Sequence, residues 1–230
     1  MTDPAIHLSG VSKTFTMHLQ GGAQLPAVAD ISFRVDFGEC VVLHGPSGAG
    51  KSSILKMICG NYRCDIGHIA VREGDVETDV SIAAPRRILG LRKHTIGYVS
   101  QFLRVMPRVA ALDIVAGAAR EQGAAAAEAE TRAAAMLRRL NVPERLWRLP
   151  PATFSGGEQQ RVNIARGLVA RHPILLLDEP TASLDAANRA NVVELIAEKK
   201  AAGVALLGIF HDEDVRARVA DRIIELRSAA

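Results

Sequence analysis

The chain has 230 residues, 48% hydrophobic and 23% charged, with a formal net charge of +3. That length buries a full core, as one large domain or a domain with a lobe, and the composition is ordinary for a soluble globular protein. So small a positive excess gives no electrostatic case for nucleic-acid binding, and no stretch approaches the roughly 20 apolar residues that would insert it in a membrane.

The N-terminus, Met1-Thr2-Asp3-Pro4, lacks a basic region followed by an apolar one, so no leader is expected. Residues 6–15 read as a strand. A Gly- and Pro-bearing turn region follows at residues 21–26, and residues 31–35 alternate apolar and polar as a half-buried strand does. These segments predict a β-rich layer ahead of the first motif. Cys40, with Cys59 and Cys64, makes an odd number without metal-like spacing, so buried free thiols and a reducing, cytoplasmic setting are expected.

Residues 40–43 form an apolar, β-prone run that leads into His44-Gly45-Pro46-Ser47-Gly48-Ala49-Gly50-Lys51-Ser52-Ser53, and residues 54–58 read as a helix. Strand, glycine-rich turn, Lys-Ser and helix is the context of a phosphate-binding P-loop. Glycines let the backbone curl round a phosphate, and the helix N-terminus supplies N–H donors. Lys51 would reach the β- and γ-phosphates of ATP, and the Ser52 hydroxyl would ligate Mg²⁺.

A loop at residues 60–67, a short strand at 68–71 and a loop or hairpin to Asp79 come next. Residues 85–93 read as a helix and 95–99 as a buried strand ending at Ser100-Gln101. The pairs Arg86-Arg87 and Arg92-Lys93 suit a solvated face. From Ala111 to Leu140 the chain turns to Ala, Glu and Arg, with high helix propensity, and the run Ala124–Ala127 fits an exposed helix. Residues 102–160 then form a helical lobe inserted into the core. A helix at 162–170, an apolar strand at 173–177, a helix at 188–200 and a strand at 204–210 complete an α/β pattern with a mostly parallel sheet.

Leu177-Asp178-Glu179 ends that apolar strand. Asp178 would hold Mg²⁺ directly or through water, and Glu179 is the candidate general base or the group that orients the attacking water. Phe154-Ser155-Gly156-Gly157-Glu158-Gln159-Gln160-Arg161 carries a hydroxyl and bare N–H groups into a helix start, a second anion site. Here the sequence resembles the ATP-binding cassette (ABC) ATPases, whose signature is usually Leu-Ser-Gly-Gly-Gln; Phe154 and Glu158 depart from that pattern. The resemblance spans the chain and implies a P-loop core with an antiparallel β layer and a helical lobe. It also implies a head-to-tail dimer in which Ser155, Gly156, Gly157 and Glu158 of one subunit close on the ATP held by the other.

By the same resemblance Gln101 matches the Q-loop glutamine near Mg²⁺ and water. Asp185, in Ser183-Leu184-Asp185, matches the D-loop at the dimer interface, and His211 matches the switch histidine at the γ-phosphate. Phe15 stands where an aromatic stacks on adenine, with Phe33 and Phe37 also upstream. Linking stretches, among them Ser100–Arg108 and Leu140–Trp147, resemble the PhnL-type ABC subunits of the phosphonate carbon–phosphorus lyase system. That implies a role in forming ribose 1-methylphosphonate 5-triphosphate, with the lyase core complex and a second ABC subunit, itself or PhnK-like, as partners. The alternatives are the ATPase of a lipoprotein-release or macrolide-export transporter, and an ATP-gated binding module that does not hydrolyse.

Overall fold

The computed structural model describes residues 3–17, 21–103 and 107–228. Met1 and Thr2, and Arg104, Val105 and Met106 of the Ser100–Arg108 stretch, lie outside them. In chain order the strands are β1 (Ile6–Met17), β2 (Ala23–Val35), β3 (Cys40–His44), β4 (Ile66–Glu73), β5 (Val76–Asp79), β6 (Ile96–Val99), β7 (Ile174–Asp178), β8 (Ala205–Ile209) and β9 (Arg222–Glu225). The helices are α1 (Lys51–Ile58), α2 (Pro85–His94), α3 (Ala111–Glu121), α4 (Ala126–Arg139), α5 (Gly156–Val169), α6 (Ala186–Ala201) and α7 (Glu213–Val219).

Two sheets result: an antiparallel one in the order β2-β1-β4-β5 and a parallel one in the order β6-β7-β8-β3-β9. Strands β7 and β8 are buried along their whole length, as a parallel sheet covered on both faces requires. Period-two alternation divides their side chains between two hydrophobic clusters. Val42, Leu175, Leu177 and Leu206 face α3 to α7, while Val41, Leu43, Ile174, Leu176 and Leu207 face α1 and the antiparallel sheet. The segments that carry residues 45–53, Asp178-Glu179 and His211 therefore leave the carboxyl ends of β3, β7 and β8, neighbours or next neighbours in one sheet. A fourth leaves β6 at its edge. Ligands of open α/β sheets bind at that end.

Several expectations change. The turn region reduces to Gly21-Gly22, and β2 runs from Ala23 through Pro26. It is an edge strand, where the absent N–H of proline costs no ladder bond. The loop or hairpin before Asp79 is the β4–β5 hairpin. Gly123, at φ +94°, separates α3 from α4, so of the Ala124–Ala127 run only Ala126 and Ala127 are helical, with Ala125 the N-cap of α4. Helix α5 starts at Gly156, inside the signature, not at Val162. All three cysteines are free and buried, and burial pushes the Cys40 thiol up to about 12.

Candidate nucleotide and metal site

The turn between β3 and α1 is held by glycines that no other residue could replace without movement. Gly45 has φ +143° and a Cβ on it would lie 2.4 Å from the Leu226 carbonyl oxygen. Gly50, the α1 N-cap at φ +81°, would place a Cβ 2.1 Å from the Ala27 carbonyl oxygen on β2. Having no side chain, Gly50 leaves the first-turn N–H groups of Lys51, Ser52 and Ser53 without a cap and free to bind an anion. Lys51 Nζ donates to the carbonyls of Gly45 and Pro46, each at 2.8 Å, so its ammonium sits inside the loop. Pro46, Ser47, Gly48 and Ala49 complete the turn, and the Ala49 N–H donates to the Pro46 carbonyl.

Asp178 ends β7 and is only 4% exposed. Its two oxygens have separate donors: Ser52 Oγ on Oδ1 at 2.9 Å and Tyr98 Oη on Oδ2 at 2.8 Å. Burial and the neighbouring carboxylate push the Tyr98 phenol above its ordinary range, so it stays a donor. Glu179 adopts φ +52°, a strained backbone for a non-glycine residue, and its N–H is held by the Ile209 carbonyl at 3.1 Å. Its carboxylate accepts from His211 Nε2 at 2.7 Å and Gln101 Nε2 at 3.2 Å. Asp178, Glu179, Gln101, His211, Ser52 and Lys51 thus gather at one end of the parallel sheet. A cleft of about 780 Å³, lined by Ser52, Tyr98, Gln101, Phe102, Arg166 and Asp178 among others, opens beside them.

The segment expected to form a second anion site, residues 155–158, is built apart from the first. Ser155 caps α5 in a reciprocal box: its N–H donates to Glu158 Oε2 at 2.9 Å, and the Glu158 N–H returns to Ser155 Oγ at 3.4 Å. The Ser155 hydroxyl, which donates to Glu158 Oε2 at 2.7 Å, and then the Ser155 N–H hold the Glu158 carboxyl below the usual range. Gly157 lies against the Ser183 carbonyl, 3.0 Å from where a Cβ would be. Among the described residues no hydrogen bond joins residues 155–158 to residues 45–53. Buried Asn163 and Gln160 of α5 instead donate to the carbonyls of Ser100 and Pro180, tying the signature helix to the segments beside Gln101 and Glu179.

Asp185 caps α6, accepting from the Asn188 N–H at 2.8 Å, so it has a structural task besides any interface role. Hydrogen bonds from the Asn188 backbone and side chain lower its carboxyl pKa. Phe15, on β1, meets Tyr62 edge to face at 5.2 Å, with Lys13 Nζ 5.4 Å from its ring centre. Lys13 pairs with Val28 of β2, which abuts Gly50, so Phe15 lies two residues along β1 from the loop's flank. Sequence reasoning missed Tyr62 and Tyr98. Neither belongs to a spaced motif, and only Tyr98's place just before Ser100-Gln101 hinted at a role.

The ABC transporter family profile matches residues 28–182. The lipoprotein-releasing system ATP-binding protein LolD 2 of Caulobacter vibrioides is 37% identical over 228 residues, covering 99% of this chain and 96% of its own. The chain belongs to the ABC transporter ATPase family. The macrolide export ATP-binding/permease protein MacB of Sodalis glossinidius is also 37% identical over 227 residues, which cover 99% of this chain. The chain spans about a third of the length of that relative (33%). The ATP-binding cassette MJ0796, solved as a dimer bound to ADP and Pi, superposes with a TM-score of 0.87 at 29% identity, covering 97% of this chain and 94% of that one.

ABC ATPases use ATP with Mg²⁺ and act as dimers, and the residues here fit both cofactors. Uncapped N–H groups and the Lys51 ammonium suit a triphosphate. Ser52 and Asp178 offer the hard oxygen donors that Mg²⁺ prefers when phosphates complete its shell. No helix among the described residues is long and apolar enough to cross a membrane.

Proposed function

We propose that this ABC ATPase is the energy-supplying subunit of a membrane transporter of the export or lipoprotein-release kind, hydrolysing ATP at the cytoplasmic face. The relatives named for macrolide export and lipoprotein release support this reading. They support it better than the carbon–phosphorus lyase role, which rests on linking sequence alone. Residues 1–230 act as one ATP-binding domain with residues 102–160 as its helical lobe, and a permease's coupling helix docks against that lobe.

The observation that carries the hydrolytic part is the Glu179 carboxylate, clasped between His211 and Gln101 beside the Ser52–Asp178 pair. Lys51 and the loop from Gly45 to Ser53 bind the phosphates, and Phe15 stacks on the adenine. Ser52, Asp178 and Gln101 would hold Mg²⁺, which would neutralise charge on the phosphates. Glu179 accepts a proton from, or orients, the attacking water, and His211 fixes the Glu179 carboxylate. A second subunit supplies Ser155, Gly156, Gly157, Glu158 and Asp185 to close the site.

Purified protein should release phosphate from ATP, and Glu179→Gln should lower that rate by about two orders of magnitude or more while still binding ATP. No release by the wild type would leave a binding module. Affinity capture from detergent-solubilised membranes should recover a permease. Recovery of lyase core proteins from the soluble fraction instead would restore the phosphonate role.

A further inference from the structure

The Asp178 carboxylate is held by two donors of unlike character. Ser52 Oγ belongs to the P-loop helix and is itself a candidate metal ligand, so its bonding changes when a metal binds. Tyr98 Oη is no such ligand. It comes from β6, on the far side of β7, and reaches Oδ2 at 2.8 Å while its ring packs against the cluster beneath α1. Tyr98 pairs with Leu176 and Val99 with Leu177 across β6 and β7, which fixes the phenol's height against the end of that strand. At neutral pH a phenol is a donor, and a carboxylate is an acceptor only. This hydrogen bond occupies Oδ2 and leaves Oδ1, the oxygen beside Ser52, for the metal.

We propose that Tyr98 is a positioning residue for the metal site: its hydroxyl fixes the Asp178 carboxylate so that one defined oxygen, Oδ1, faces the metal beside Ser52. The inference rests on the reading of Asp178 as a metal ligand. Asp178 is only 4% exposed, so removing the hydroxyl takes away the protein donor on Oδ2 and leaves the carboxylate freer to turn. Outer-sphere partners of this kind commonly change metal affinity by about 10- to 100-fold when removed. Because Tyr98 lies three residues before Gln101, β6 and the turn that follows it reach Asp178 by one side chain and Glu179 by the other.

The test is a Mn²⁺ titration followed by electron paramagnetic resonance, on the full chain with a non-hydrolysable ATP analogue. Tyr98→Phe should raise the Mn²⁺ midpoint by roughly tenfold. Its analogue affinity in EDTA should match the wild type, and hydrolysis should recover as Mg²⁺ is raised. Asp178→Asn runs alongside. If Asp178→Asn weakens Mn²⁺ binding and Tyr98→Phe does not, the positioning role is overturned. If neither weakens it, the ligand assignment of Asp178 falls and the proposal with it. If Tyr98→Phe loses metal-free analogue binding as well, its effect is on the fold and the proposal is overturned.

Discussion

Lys51 is buried, 8% exposed, and its ammonium has carbonyl oxygens, not a carboxylate, for company. Two of its three donors are spent on the Gly45 and Pro46 carbonyls, so the charge is solvated by the loop but not neutralised. A triphosphate supplies the missing negative charge. Lys51→Ala should weaken ATP binding at least tenfold, or about 1.4 kcal/mol, as read by titration calorimetry; equal affinities would remove Lys51 from the site. Residues like this were legible in the sequence because their spacing is set by backbone geometry around a phosphate. Tyr98 and Tyr62 were not. Their meaning depends on strands 80 residues apart for Tyr98 and Asp178, and on β1 meeting the end of α1 for Tyr62 and Phe15.

At the scale of elements, close approach decides what local propensity cannot. Gly90 in α2 and Gly167 in α5 are both helical, where alanine is favoured by roughly 1 kcal/mol. A Cβ at Gly90 meets nothing within 4 Å, whereas at Gly167 it would lie 2.3 Å from Val99 Cγ2. Val99 is fully buried and, being β-branched, is stiff at χ1. Gly90→Ala should therefore stabilise by about 0.5–1 kcal/mol and Gly167→Ala destabilise by roughly 2 kcal/mol, since overpacking outweighs propensity. Urea unfolding of both variants checks the opposed signs; a shared sign would refute the packing argument. The buried strands β3, β6, β7 and β8 and helices α1, α2 and α6 were readable from apolar runs and periodicity. The short α7 and β9 were not, because β9 alternates exposed and half-buried residues and is fixed by partners far away. The Cys40 N–H donates to Asp221 at 2.8 Å, and Arg222 Nε to Glu39 at 2.8 Å.

For the whole molecule, the decisive feature is that the P-loop and the signature segment of one chain are separate. The P-loop bonds to Asp178 and to itself, while the signature helix bonds to the segments around Ser100 and Pro180. If a complete site takes the P-loop of one subunit and the signature of another, two differently damaged chains should repair each other. Gly156→Asp is suited to the signature side: a Cβ there meets nothing within 4 Å, and a carboxylate in the first turn of α5 favours the helix while repelling phosphate. Lys51→Ala and Gly156→Asp should each be inactive alone. Mixed subunits place both lesions in one composite site and leave the other intact. Random pairing in equal amounts makes half the dimers mixed, so about a quarter of wild-type hydrolysis should return if the two sites work independently. Phosphate release from the mixture measures it. No recovery, with mixed dimers shown by differential tagging, would mean that the sites cannot work singly or that each chain's signature serves its own P-loop. A tandem fusion of wild type with the double variant Lys51→Ala/Gly156→Asp separates these: its composite sites each carry one lesion and should stay silent, whereas sites closed within one chain would keep half the activity.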